Sequence, residues 1–169
     1  MTSNFLPKIS RARWEQGMAL QDDNDLFDML TQPLHEELYN RQDFGFMEQL
    51  SPMQQMALAF DYIQSQVLQG GFLQLIQNKY ISLMLPAIEG LQQVGDTDMA
   101  ALLDDVLKVY VLNHEALEKE TDVQEFAALY NEFKEFELLD RRFGELHAAS
   151  LRGIIQYAAL HMQEFAIME

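Results

Sequence analysis

The chain has 169 residues, carries 27 Asp and Glu against 11 Lys and Arg, and has a formal net charge of -16. With 49% hydrophobic and 11% aromatic residues it has the apolar material for a packed core, so its acidity does not imply disorder. Such a surface repels phosphate backbones and anionic lipid headgroups, which excludes direct nucleic-acid binding, and the lack of cysteine excludes thiolate catalysis, Cys-ligated metals and disulfides.

The length suits one domain, expected to span residues 1–169. Met1 to Ser10 has no apolar core of a signal peptide, and the uncharged stretch Tyr62–Asn78 is broken by five glutamines and Gly70-Gly71, so no membrane span is read. A cytoplasmic location is the expectation. In chain order, Ser10–Leu20 reads as a short leading helix, and Asp22–Gln42 as a helix with a break or kink near Pro33. Next, Met53, Met56, Phe60, Ile63 and Val67 recur at helical spacing behind Ser51-Pro52 and Gln54, which supply an N-cap, a first-turn proline and a capping-box acceptor. This helix is expected to end at Gly70-Gly71.

Gly95 reads as a helix-terminating residue, and Asp96-Thr97-Asp98 opens a helix with Met99, Leu102, Leu103, Val106 and Tyr110. Thr121-x-x-Gln124 predicts a further capping box. Finally, the stripe Leu151, Ile154, Ile155, Ala158, Ala159, Met162, Phe165 and Ala166 predicts a central helix running almost to the last residue. Strand-like alternation is hard to find. The reading is an all-α protein with seven to nine helices, in which residues 1–49 form N-terminal helices and residues 50–169 the main core.

Chemistry is sparse. None of His35, His114, His147 and His161 has Glu three residues before it, so the helical di-iron pattern is absent, and HExxH is absent too. His114 and Glu118 share a helical spacing but read as a solvated pair. Asp23-x-Asp25 and Asp96-x-Asp98 lack the glycine and third ligand of a calcium loop and fit helix caps better. No phosphate loop or Gly-x-Ser-x-Gly elbow occurs. No catalytic residue, metal ligand or cofactor is therefore assigned, and the chain is read as a non-enzyme; carboxylate-only chemistry stays as a minor alternative.

The charge is uneven. Residues 1–20 carry +2, 21–60 carry -7, 61–90 carry -1, 91–140 carry -10 and 141–169 carry 0. In residues 91–140, thirteen carboxylates face only Lys108, Lys119 and Lys134. Pairs such as Asp104 with Lys108 and Glu115 with Lys119 soften this surface without neutralising it. Duplex DNA presents one charge per about 1.7 Å, so about 40 Å of duplex, the span of such a domain, carries about 24 charges. The protein's net charge is comparable in scale, and such a surface can attract a protein built to grip phosphates. The carboxylates away from lysines are Asp96, Asp98, Glu118, Glu120, Asp122, Glu125 and Glu132.

The run Gly70-Gly71-Phe72-x-Gln74-x-x-x-Asn78 resembles the signature of the bacterial nineteen-kilodalton DNA-mimic protein family. Leu85-Pro-Ala-Ile88 through Val94-Gly95-Asp96, then Met99-Ala-x-Leu102-Leu103, Phe136-x-x-Leu139-Asp140-x-x-Phe143, and Tyr157 to Phe165 are similar to its later segments. The resemblance implies an all-α homodimer that presents carboxylates like duplex phosphates to a DNA-binding protein, such as a helix-turn-helix regulator, and competes with DNA. Within it, Gly70, Gly71, Phe72, Gln74 and Asn78 are expected to be structural. The glycines should take a left-handed turn, Phe72 should anchor it, and Gln74 and Asn78 should bond exposed backbone groups. The other function class is an acidic protein-interaction or immunity-type module without phosphate imitation.

Overall fold

A computed structural model describes residues 3–169. Among them run seven α-helices: α1 (Arg11–Leu20), α2 (Asp23–Arg41), α3 (Pro52–Gln77), α4 (Met84–Val94), α5 (Thr97–Glu118), α6 (Val123–Glu132) and α7 (Glu135–Leu160). The fold class is all-α. Most helix starts are written into the side chains. The Ser10, Asp22, Ser51 and Asp96 oxygens accept from the backbone N–H three residues on, at 3.3, 3.1, 3.1 and 3.2 Å.

α3 is the central helix. Met53, Met56, Ala57, Leu58, Ala59 and Phe60 are all fully buried, so apolar contact surrounds its first half rather than marking one stripe. One side faces the main core with α4, α5 and α7, and Leu58 faces a smaller cluster with Leu34, Leu38, Phe46 and Leu50. α2 runs through Pro33 as one helix, so of the expected break or kink no break occurs. Leu26, Phe27 and Leu30 before the proline, and Leu34 and Leu38 after it, are all buried, and this packing holds the helix across the missing hydrogen bond.

The last helix begins far earlier than the apolar stripe and stops at Leu160, where His161 leaves helical geometry. Phe165 and Ala166 are buried as their spacing predicts, but after a 3-10 turn at Met162–Glu164. A two-residue parallel bridge, unforeseen from the sequence, then pairs β1 (Lys8–Ile9) with β2 (Ile167–Met168). The α3 capping box ties these ends together. Fully buried Gln54 accepts from Ser51 N–H at 2.9 Å and donates to the carbonyls of Phe5 at 2.9 Å and Phe165 at 2.8 Å.

At Gly70-Gly71, where the sequence predicts a helix end, α3 kinks between two helical segments. Gly70 has φ -147° and ψ 16°, Gly71 has φ 76° and ψ -179°, and helical geometry resumes at once. Gly71, with positive φ, lies in a region open almost only to glycine, whereas Gly70 does not take the left-handed turn expected of both. Gly95, at φ 91°, ends α4 as expected.

Candidate partner-binding surface

The acidic surface is built by the end of α5, the turn after it, and α6. Its cap differs from the expected one by a residue. Asp122, not Thr121, accepts from Glu125 N–H at 2.8 Å, and the Glu125 carboxylate accepts from Asp122 N–H at 3.2 Å. Thr121 is engaged elsewhere, donating to Gln77 Oε1 at 2.9 Å.

The seven singled-out carboxylates fall into three places. Glu118, Glu120 and Asp122 line an open cleft of about 660 Å³ together with Gln74 and Gln77 of distal α3 and with Asn78 and Lys79 just beyond it. Glu125 and Glu132 line a groove of about 320 Å³ on the other side of α6, beside Lys119. Asp96 and Asp98 stand at the start of α5, about 30 Å along the helix from Glu118 at about 1.5 Å per residue. Asp96 turns one oxygen to Met99 N–H, and its other oxygen is buried without a protein partner, so this carboxylate serves the helix end.

The surroundings of these acids differ from those of the N-terminal acidic block. There, Asp25 pairs with Arg13, Asp23 with Arg152 at 3.2 Å and Glu37 with Arg41 at 2.7 Å. Among the described residues, ion pairs in 91–140 engage only Asp104, with Lys108 at 2.9 Å, and Asp105, with Arg142 at 3.0 Å. The Glu115–Lys119 pair does not form there. Glu118 instead accepts the Tyr110 hydroxyl, which raises the pKa of that phenol. His114, in the helical turn after the α5 kink at Asn113, points to the Val111 carbonyl and makes no described pair with Glu118. Among the described residues no three His, Asp or Glu side chains converge as a metal-binding group.

The glycine run reaches the cleft through Gln74 and Asn78. Phe72 is fully buried and packs edge-on against Phe143 at 5.7 Å, and its N–H donates to the Asp140 carboxylate at 2.9 Å. Tyr130 of α6 donates to the Gly70 carbonyl. Burial raises the pKa of Asp140 against the lowering effect of the Phe72 N–H, and burial, followed by the Asp140 charge, pushes the Tyr130 phenol up to about 12. Gln74 and Asn78 do not bond backbone groups. Gln74 donates to Gln66 Oε1 at 3.2 Å and Gln69 Oε1 at 2.8 Å, and Asn78 donates to Gln66 Oε1 at 2.7 Å, a lattice of amides spanning the bend.

A family model for the DMP19-like protein matches residues 48–161, well over half of the chain. The chain belongs to the DMP19-like protein family. The matched region covers α3 through α7, and so includes the bend, its Asp140 and Tyr130 partners, and the cleft. No curated protein matches the chain. The bonds made by Gln77, Thr121, Tyr130 and Asp140 were not legible in the sequence, because these residues meet only through the fold. No helix among the described residues is long and apolar enough to cross a membrane.

Proposed function

We propose that this protein is an acidic DNA mimic that occupies the DNA-binding surface of a transcription regulator or another DNA-binding protein and competes with DNA, acting as a homodimer without cofactor or catalysis. The observation that carries the reading is the excess of exposed carboxylates on 91–140 that stand without described cationic partners, among them Asp98, Glu118, Glu120, Asp122, Glu125 and Glu132 on α5, α6 and the turn between them. Membership in the DMP19-like family supports it. Each such carboxylate can meet a Lys or Arg that otherwise holds a phosphate, so binding should be fast, salt-dependent and exclusive with DNA. Val123, 87% exposed at the cleft edge, adds an apolar contact that a bare charge array lacks.

The structure also selects the residues for the test. Asp96, Asp122 and Glu125 cap helices, so neutralising them confounds binding with stability. Asp98→Asn, Glu118→Gln, Glu120→Gln and Glu132→Gln form the cleaner set. The DNA-binding proteins of the source cell, collected on heparin resin, are passed over the immobilised protein. The retained species is then titrated with its own DNA at several salt concentrations. Displacement by DNA, and affinity weakened at least about tenfold by the four substitutions with unchanged melting, is the expected result. A retained partner that binds no DNA favours the interaction-module reading and refutes mimicry.

A further inference from the structure

The acids of the cleft rest on a narrow mount. α6 buries only Leu129 within the helix and Phe133 at its end, with Phe126 and Tyr130 half-buried, and open grooves flank it on both sides. Three hydrogen bonds, one each from α6, the turn before it and the end of α5, all reach residues 70–77 of α3. Tyr130 donates to the Gly70 carbonyl, Gln77 Nε2 donates to the Leu117 carbonyl, and Thr121 donates to Gln77 Oε1. The direction of residues 72–77 is set by the bend at Gly70-Gly71, which Asp140 of α7 pins through the Phe72 N–H.

We infer that Gln77 and Tyr130 are positioning residues for the carboxylates of Glu118, Glu120, Asp122 and Glu125, and that the glycine bend serves the partner surface by aiming these two residues at the α5–α6 turn. The consequence for partner binding rests on the mimicry reading; the mount itself does not. A straight α3 would carry Gln77 away from both Leu117 and Thr121 at once, because both bonds use the same side chain. The acids belong to the family's match, yet none of them touches the glycines. Their common geometry passes through Gln77 and Tyr130, and the described hydrogen bonds join the turn to the rest of the molecule nowhere else except through Tyr110 and Glu118 on α5 itself. An array meant to match a rigid duplex needs fixed spacing, and two side-chain anchors add to the hold of buried Leu117, Leu129 and Phe133.

The chain has no cysteine, so spin labels can be placed uniquely. Labels at Ser65→Cys and Gln124→Cys, both exposed, report α6 against proximal α3, and labels at Ser65→Cys and Glu89→Cys report α4 as a control. Tyr130→Phe keeps the ring packed on Phe126 and removes only the hydroxyl; the double variant Gln77→Ala, Tyr130→Phe removes all three bonds. The expected result in the full chain is a broadened distance distribution for the α6 pair alone, with amide exchange over 123–133 faster by about fivefold in Tyr130→Phe and more in the double variant. Helical content should stay unchanged. If the α6 distances and exchange match the unsubstituted protein, the mount is refuted; if the double variant does not fold, Tyr130→Phe decides alone. Binding of the heparin-fraction partner, weakened by these variants with all carboxylates intact, supports positioning; undiminished binding by a broadened α6 overturns it. Retained binding in the four-carboxylate variant, by contrast, counts against the mimicry reading and leaves the mount standing.

Discussion

Replacing Gly71 by alanine probes the bend from which the acidic surface hangs. At φ 76° and ψ -179°, a Cβ costs roughly 1–3 kcal/mol in backbone strain. The same Cβ would collide with the Asp140 carboxylate and the Tyr130 hydroxyl, so both must withdraw. Withdrawal gives up a hydrogen bond to a charged acceptor, worth about 1.5–3 kcal/mol, and a neutral one, worth about 1 kcal/mol. Moving a half-buried carboxylate towards water returns part of that, so the net destabilisation should be about 3–5 kcal/mol. For a chain of this size the melting temperature should fall by about 6–20 °C. Gly95→Ala is the control. It also has positive φ, at 91°, but nothing lies within 4 Å of an added Cβ, so only the strain should appear. Urea and thermal unfolding followed by circular dichroism measure both. If Gly71→Ala is no worse than Gly95→Ala, the clamp by Asp140 and Tyr130 contributes nothing and the reasoning fails.

Gln54→Leu should destabilise by about 3–4 kcal/mol, because it strands Ser51 N–H and the Phe5 and Phe165 carbonyls that the amide now satisfies; a loss below about 1 kcal/mol in urea unfolding would contradict this. Asp140 is raised in the folded state, so the unfolded chain ionises first as pH climbs past 3.8. Stability relative to Asp140→Asn should therefore decline from there through the raised value, and parallel pH profiles of the two proteins would dispute this. His147 is lowered by burial beside Phe60 and Phe143, so the unfolded chain protonates first as pH falls through 6.5. The protein should lose stability in that window, and His147→Gln should lose less of it in urea titrations either side of pH 6.5. Sedimentation equilibrium at micromolar concentration should give twice the 19.6 kDa chain mass, and a single 19.6 kDa species would remove the homodimer from the proposal.

Local rules were legible in the sequence wherever one residue and its near neighbours settle the outcome. Ser51 with Gln54, the Asp96 cap, the Gly95 stop and the positive φ of Gly71 all depend on interactions within a few residues, so spacing and residue type suffice to read them. So does the all-α class, because helical periodicity recurs along the chain. Charge was equally readable: the excess of carboxylates over 91–140 is a matter of counting. Where helices continue or stop was not. α2 passes Pro33 because buried side chains on both sides of it hold the axis, and α7 stops at Leu160 although the apolar spacing continues. The placement of the acids belonged wholly to the tertiary structure. Gln77 meets Leu117 and Thr121 across 40 and 44 residues, Tyr130 meets Gly70 across 60, and Asp140 meets Phe72 across 68, separations at which no periodicity carries information. Helix packing alone divided the seven carboxylates among a cleft, a groove and a remote helix start, because the direction of a surface side chain is inherited from the core contacts of its helix.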